Sequence, residues 1–247
     1  MSDKRRADVL LVERGLAPTR AKAQALLLAG QVYVAEQRVE KAGQLLALDA
    51  PLRVSQGERF VSRGGHKLEG ALDALALEVS GRVAADIGAS TGGFSDCLLQ
   101  RGASKVYAVD VGERQLAQRV LEDPRVVVMD RTNARYLEAS AFAEPLELAV
   151  VDASFIGIEK LLPALARILP AGGQLLALIK PQFEAGKQEA TRSKGVIRDP
   201  VLRAQLIERA QLAVTEHGFE ILGGCDSSLP GPKGNVEYFV FARRRSA

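Results

Sequence analysis

Cysteine, histidine and long apolar runs are all scarce in this chain, and each shortage closes off a class of chemistry. Of 247 residues only Cys97 and Cys225 are cysteines. They match no metal-ligand spacing and read as two free thiols in a reducing compartment. His66 and His217 are the only histidines. Neither stands at a strand end near a nucleophile, so no Ser-His-Asp or Cys-His set forms, and no metal is expected. The most apolar stretch, Gly173–Ile179, itself broken by Gln174, is far short of the ~20 residues a spanning helix needs. The start, Met1-Ser-Asp-Lys-Arg-Arg6, runs into a charged segment, so no signal peptide is expected. The expectation is a soluble cytoplasmic protein with no membrane role.

Bulk charge is also modest: 33 Lys+Arg against 30 Asp+Glu. A net +3 does not by itself imply nucleic acid, so distribution matters more than the sum. Residues 1–67 carry 12 basic against 7 acidic side chains, which leaves the remainder at −2. Hydrophobic residues at 47% and charged residues at 26% are ordinary globular composition. No internal repeat or low-complexity segment interrupts the chain.

Two segments with different rhythms follow one another. Apolar residues at helical spacing mark 7–16 (Val9, Leu10, Val12, Leu16) and 19–30 (Ala23, Leu26, Leu27, Ala29). Gly15 and Gly30 fit helix ends, and Thr19 fits an N-cap. Short alternating runs at 32–34, 38–39 and 52–54 read as a small sheet, so residues 1–58 form a small α+β domain. Residues 59–66, Arg-Phe-Val-Ser-Arg-Gly-Gly-His, read as a connector bent at its glycine pair. From 67 to 247 seven strands, 83–87, 105–110, 125–129, 147–152, 173–180, 219–223 and 236–242, alternate with helices at 67–78, 93–101, 112–121, 157–169 and 200–217. That alternation predicts a mostly parallel α/β sheet covered on both faces.

The first of these strands runs into Asp86-Ile-Gly88-Ala89-Ser90-Thr91-Gly92-Gly93-Phe94. Glycines there let the backbone approach a ligand closely, and the following helix offers free N–H groups. The spacing is not G-x-G-x-x-G. Asp110 ends the second strand and suits a pair of ribose hydroxyls; Asp130 ends the third, on the side expected for adenine. Ligands in open parallel sheets bind beyond the carboxyl ends of the strands, where all these acids stand. Lys67 opens a helix, Asp152 and Lys180 end the fourth and fifth strands, and Glu237 lies near the start of the last. A lysine closing a buried apolar strand is unusual, because lysine is rarely buried unpaired.

Together these stretches resemble a known family. Asp86–Phe94, Asp152-Ala-Ser-Phe-Ile156, Lys180-Pro-Gln-Phe-Glu184, Gly234-Asn-Val-Glu237 and Val61-Ser-Arg-Gly-Gly-His-Lys-Leu-Glu69 resemble the TlyA ribosomal RNA methyltransferases, also labelled hemolysin A. Arg6-Ala-Asp-Val-Leu-Leu-Val-Glu-Arg-Gly15 and Gly30-Gln-Val-Tyr-Val34 resemble the alpha-L RNA-binding module of small-subunit ribosomal protein S-four. The resemblance covers essentially the whole chain. It implies a Rossmann-like, seven-stranded class I methyltransferase sheet of the FtsJ type behind a small RNA-binding domain; the final hairpin also favours this variant over a dehydrogenase. It implies S-adenosylmethionine as cofactor, held by Asp86, Gly88–Phe94, Asp110 and Asp130. It further implies a Lys-Asp-Lys-Glu tetrad matching Lys67, Asp152, Lys180 and Glu237, acting on a cytidine ribose 2′-hydroxyl of ribosomal RNA. Such an attack needs the hydroxyl to lose its proton, and a neutral amine can accept it. Desolvation and a second cation favour the neutral amine; neighbouring carboxylates oppose it, and sequence alone leaves the balance open.

The chain departs from the family pattern at Lys41-Ala-Gly43, where Lys-Pro-Gly is usual. Arg131-Thr-Asn-Ala-Arg135 likewise varies a Gly-Thr-Asn-x-Arg stretch. Ribosomal RNA or ribosomal subunits are the expected partners, gripped by Arg6, Arg14, Arg20, Lys22, Lys41 and Arg63. A second basic stretch, Lys187, Arg192, Lys194 and Arg198, is expected to form a loop over the substrate strand, with Gly186 and Gly195 as hinges. Two rival readings are a membrane-active hemolysin, which needs a spanning or strongly amphipathic segment, and a non-catalytic RNA-binding protein with a dead methyltransferase fold.

Overall fold

The structure is a computed structural model that describes residues 3–55, 57–186, 193 and 195–246. It divides into two compact units, Met1–Arg59 and Phe60–Ala247.

In the first unit, strand β1 (Lys4–Arg6) leads into helices α1 (Ala7–Glu13) and α2 (Arg20–Leu28), followed by β2 (Val32–Val34), β3 (Gln37–Arg38), β4 (Leu45–Ala47) and β5 (Leu52–Val54). β1 pairs antiparallel with β4, and β2 lies between β3 and β5. Thr19 caps α2 by accepting the Lys22 amide, and Gly15 and Gly30 take φ of +69° just past the two helices. The apolar faces of α1 and α2 meet around Leu10, Leu11, Ala23 and Leu27. Leu16, expected on that face, is instead exposed at the helix end, and Ala17 is buried in its place. β1 and β4 lay beyond the sequence pattern, because Lys-Arg-Arg shows no apolar alternation. The Gln44 amide bonds to the Lys41 carbonyl, closing a turn with Ala42 at the position where the family's proline fits.

Asp8 organises this unit. Its fully buried carboxylate accepts both Arg6 nitrogens at 3.0 Å, Arg20 at 2.9 Å and Gln24 at 2.9 Å. The Arg6 guanidinium, helped by Gln24 and Arg20, holds the carboxyl far below the usual carboxylate range against the opposing effect of burial.

The second unit comprises α3 (Arg63–Ala74), β6 (Val83–Ile87), α4 (Gly93–Gln100), β7 (Lys105–Val109), α5 (Gln118–Leu121), β8 (Val126–Met129), β9 (Leu148–Val151), α6 (Leu162–Ile168), β10 (Gln174–Ile179), α7 (Pro181–Glu184), α8 (Pro200–Glu216), β11 (Phe219–Asp226) and β12 (Tyr238–Arg244). The seven strands form one sheet in the order β11-β12-β10-β9-β6-β7-β8. All neighbours are parallel except β12, which is antiparallel to both β10 and β11. Alternate strand residues point to opposite faces. Ala85, Ile87, Val109 and Val151 meet α6 and α8; Ala84, Val106, Val150 and Leu178 meet α3, α4 and α5. Chain order reverses at β6, whose carboxyl end is therefore the crevice where ligands bind.

Several expected boundaries move. The Ser62 hydroxyl accepts the Gly64 amide and starts α3 at Arg63, so residues 63–66 of the expected connector form a helical turn and the glycine pair lies inside it. The helix ends at Ala74, before Ala76 at φ +48°. Only 118–121 of the expected helix 112–121 is helical. The Gly112 and Arg114 amides bond instead to Asp110 and Asp130, with Arg114 at φ +54°. Residues 157–169 split into a 3₁₀ turn (Ile158–Lys160) and α6, and α7 was not anticipated.

Because the folded carboxyl of Asp8 lies below its unfolded value of about 3.9, its contribution is present above that pH and lost as pH falls below it. Amide hydrogen exchange across 7–28 of the whole chain should show protection declining below about pH 4. Asp8→Asn should cost about 2 kcal/mol near neutrality and flatten that acid dependence. An unchanged acid profile in Asp8→Asn would remove Asp8 from this role.

Candidate active site

The turn after β6 rests on a close approach. Gly88 sits at φ +90°, and a Cβ there would lie 2.8 Å from the Asp152 carbonyl oxygen. Only glycine lets this turn pass so near the loop after β9. A Cβ on Gly93 would strike the Ser62 hydroxyl, so α4 also starts hard against the N-terminus of α3. The Gly88 and Ala89 amides bond to the Val109 carbonyl at 2.9 and 3.1 Å, which ties the turn to β7.

A cavity of about 730 Å³ opens beyond this turn. Gly88, Ala89, Ser90, Thr91, Gly93 and Phe94 line it, as do Lys67, Asp152, Lys180 and Glu237. Each of these four comes from a different element: α3, the loops after β9 and β10, and the entry to β12. They form two ion pairs. Lys67 Nζ lies 2.5 Å from Glu237 Oε2, both nearly inaccessible, and Lys180 Nζ lies 2.5 Å from Asp152 Oδ1. Lys180 also donates to Ser154 Oγ at 2.9 Å. Burying Lys67, Lys180 and Glu237 beside the less buried Asp152 is tolerable only because they are paired.

Other expected cofactor residues lie outside the cavity lining. Asp110 accepts the Ser90 amide at 2.8 Å and the Gly112 amide at 2.7 Å, bracing the turn from β7. Asp130 accepts the Arg114 amide at 2.9 Å. Gly92, at φ +88°, is the N-cap of α4. Asp86 is fully buried behind the turn, where one oxygen accepts the Ser95 amide and hydroxyl at 2.8 and 2.7 Å. Its other oxygen has no hydrogen-bond partner. Burial pushes this carboxyl up to about 7; the Ser95 hydroxyl opposes the shift and the charges of Asp152 and Asp110 add to it. Arg131 stands at φ +53°, a region that favours glycine, which explains the glycine in the stretch it resembles.

The expected RNA residues fare differently from one another. Arg6 and Arg20 hold Asp8, and Arg14 donates to the Leu48 and Ala50 carbonyls, so all three brace the first unit. Lys22 and Lys41 are exposed. Arg63 is exposed on α3 and lines the cavity of the second unit. Lys187, Arg192 and Lys194 lie outside the described residues, and Arg198 is exposed. His66 packs edge-on to Phe60 at 4.9 Å, and His217 ends α8 with Nδ1 2.8 Å from the Ala213 carbonyl. Among the described residues, no group of three or more His, Cys, Asp or Glu is placed to hold a metal, and no helix is long and apolar enough to cross a membrane.

Sequence reading missed the cavity's apolar and neutral members. Phe155 is 90% exposed at φ +66°, with its ring 5.2 Å from that of Phe183. Gln182 and Asn235 also line the cavity, and these fall inside the short stretches already singled out, where position beside a strand-end charge was the available signal. Lys233, a further lining residue, stands just ahead of Gly234–Glu237 and carried no such signal. Glu184 was missed too. It is buried, accepts the Ile158 amide at 2.9 Å, and joins α7 to the loop that carries Asp152, Ser154 and Phe155.

With this geometry in hand, the matches to known proteins are decisive. Residues 60–244 match the FtsJ-like methyltransferase model and residues 5–49 the S4 domain model. The chain belongs to the FtsJ-like methyltransferase family. The 16S/23S rRNA (cytidine-2′-O)-methyltransferase TlyA of Mycobacterium tuberculosis is 44% identical, with 100% of this chain and 92% of that protein covered. Hemolysin A of Brachyspira hyodysenteriae is 38% identical over 95% of this chain and 98% of that protein. A solved structure labelled a hemolysin, from Streptococcus thermophilus, is 40% identical with a TM-score of 0.75, covering 100% of this chain and 90% of the other. This methyltransferase therefore has an S-adenosylmethionine-dependent fold with an RNA-binding type of domain ahead of it.

Glu184→Leu should leave the buried Ile158 amide unsatisfied and cost about 1–3 kcal/mol, whereas Glu184→Gln keeps an acceptor and should cost far less. Equilibrium denaturation of the two variants checks this; equal losses would show that the charge, not the acceptor, is what matters.

Proposed function

We propose that this methyltransferase transfers the methyl group of S-adenosylmethionine to the ribose 2′-hydroxyl of a cytidine in ribosomal RNA, acting in the cytoplasm on RNA or ribosomal subunits. One observation carries the reading: Lys67, Asp152, Lys180 and Glu237, scattered over 170 positions, converge as two ion pairs in the cavity bounded by the glycine turn. The names of the relatives supply the nucleotide and the RNA. The hemolysin label belongs to relatives with the same domains, and no spanning helix among the described residues favours that activity here.

The residues fit the cofactor. The turn at Gly88 lines the cavity with backbone, and the start of α4 presents backbone amides. The Asp110 carboxylate is oriented by two amides and keeps lone pairs for ribose hydroxyls. Asp130 lies on the adenine side; Asp86 supports the turn from behind. When bound, S-adenosylmethionine supplies an electrophilic methyl group on a sulfonium.

The chain's own residues do the rest. Among the described residues Lys180 Nζ is paired with Asp152 and donates to Ser154, which leaves a direction for the acceptor hydroxyl. In its neutral form the amine takes the hydroxyl proton onto Nζ as the methyl group reaches the oxygen. Lys67 and Glu237 form a closed pair that keeps a second cation near the reacting oxygen without a net charge. Phe155, exposed and beside Phe183, offers a face for stacking a base, an interaction worth about 1–3 kcal/mol per base. The N-terminal RNA-binding domain, residues 1–58, supplies RNA affinity rather than chemistry.

Lys180→Ala should fold and bind S-adenosylmethionine normally by calorimetry, while single-turnover methylation of ribosomal RNA falls by about 10² to 10⁴. Lys180→Arg should not restore the rate, because a guanidinium stays protonated. A near-normal rate in Lys180→Arg would make Lys180 an orienting residue rather than the base. Phe155→Ala should weaken RNA binding by roughly tenfold, with an equilibrium binding assay as the check.

A further inference from the structure

The charges lining the cavity do not all cancel. Lys67–Glu237 and Lys180–Asp152 are closed pairs, but Arg63 and Lys233 also line it, and among the described residues neither has an acidic partner. Both are exposed, and Arg63 is held by a backbone carbonyl rather than by a carboxylate.

The loop that presents Lys233 is built for rigidity. Gly231-Pro232-Lys233-Gly234 is a four-residue turn closed by the Gly234 amide on the Gly231 carbonyl at 2.8 Å. Proline at its second position fixes φ, which suits the turn and places Lys233 at the third. Just beyond, the buried Asn235 side chain accepts the Ile197 amide and donates to the Gly195 carbonyl, each at 2.9 Å, and its own carbonyl accepts the Gly231 amide. Arg63, in the first turn of α3, donates from Nη2 to the Pro230 carbonyl at 2.9 Å. The guanidinium thus docks on the base of the turn that carries the lysine. Two cations on different elements are joined at the cavity rim, with the positive end of the α3 dipole beside them.

We propose that Arg63 and Lys233 form a phosphate clamp for the acceptor strand, holding the phosphodiester 3′ to the ribose under attack. The inference rests on the ribose-methylation reading and names a subsite within it. A 2′-hydroxyl is vicinal to the 3′-phosphate, so an anion always accompanies the reacting oxygen into the cavity. The tetrad, being paired, has no charge left over for it. The rim cations do, and a guanidinium fork with an ammonium beside it suits phosphate oxygens.

The test uses the full-length chain and its Lys233→Gln, Arg63→Gln and doubly substituted forms. In the unsubstituted protein, cytidine 3′-monophosphate should inhibit RNA methylation roughly tenfold more strongly than cytidine. The double variant should lose that advantage. RNA binding measured over a salt series should weaken, and the slope of log K against log salt should become shallower by about 0.7–0.9 for each cation removed. Equal inhibition by cytidine and its 3′-phosphate, a preference for the 5′-phosphate, or an unchanged salt slope would overturn the clamp. So would a loss confined to S-adenosylmethionine affinity, which would assign the cations to the carboxylate of the cofactor. If the unsubstituted protein failed to methylate ribosomal RNA at all, the function reading would fall instead.

Discussion

Charges buried together must be paired, and the second unit is arranged around that requirement. An ion taken out of water costs several kcal/mol unless a partner and hydrogen bonds offset it. Lys67 needs Glu237, 170 positions away, so α3 and the entry to β12 must meet. Lys180 needs Asp152, so β9 and β10 must lie side by side, which they do in parallel register from Leu148 to Val151. The glycine turn then fits between these pairs because Gly88 permits contact with the Asp152 carbonyl. Removing one charge leaves its partner unpaired, most consequentially in the nearly inaccessible Lys67–Glu237 pair.

Much of the second unit was legible because a parallel sheet covered on both faces leaves a plain trace: apolar runs at regular intervals, with acids and a lysine at their carboxyl ends. All seven strands fall where the runs are. The four charges of the site were legible for the same reason, since a lysine after Leu-Ile or an aspartate after Val-Val has no ordinary place in a core. What escaped detection depends on contacts distant in sequence. Nothing local in Gly112–Ala117 forbids a helix; the Asp110 and Asp130 carboxylates claim its first amides. Nothing in Ser62-Arg63-Gly64-Gly65 announces a helix either, because two glycines argue against one until the Ser62 cap and the tight fit of α3 on α4 are seen. Phe155 had no role assigned within Asp152–Ile156, and only its exposed position on the cavity wall marks it out.

The first unit illustrates the limit of counting charges. Its excess of arginine and lysine was read as a phosphate-binding surface, but Arg6, Arg14 and Arg20 also tie the unit together through Asp8 and two backbone carbonyls. A guanidinium has five N–H groups and can serve two masters. Such arginines present their remaining donors at fixed angles, which a freely rotating lysine such as Lys22 does not.

The placement of β12 has a consequence for how the molecule comes into being. This strand follows every other strand in the chain, yet it lies between β10 and β11 rather than at an edge. During synthesis the five preceding parallel strands can assemble while β10 still offers an open rim, and β11 has no neighbour in the sheet until β12 arrives. The cavity is likewise incomplete until that segment is in place, because Glu237, the partner of Lys67, enters with the strand that closes the gap. An interrupted chain would be left with two sticky, unfilled strand borders and would be a ready substrate for aggregation or quality-control proteolysis.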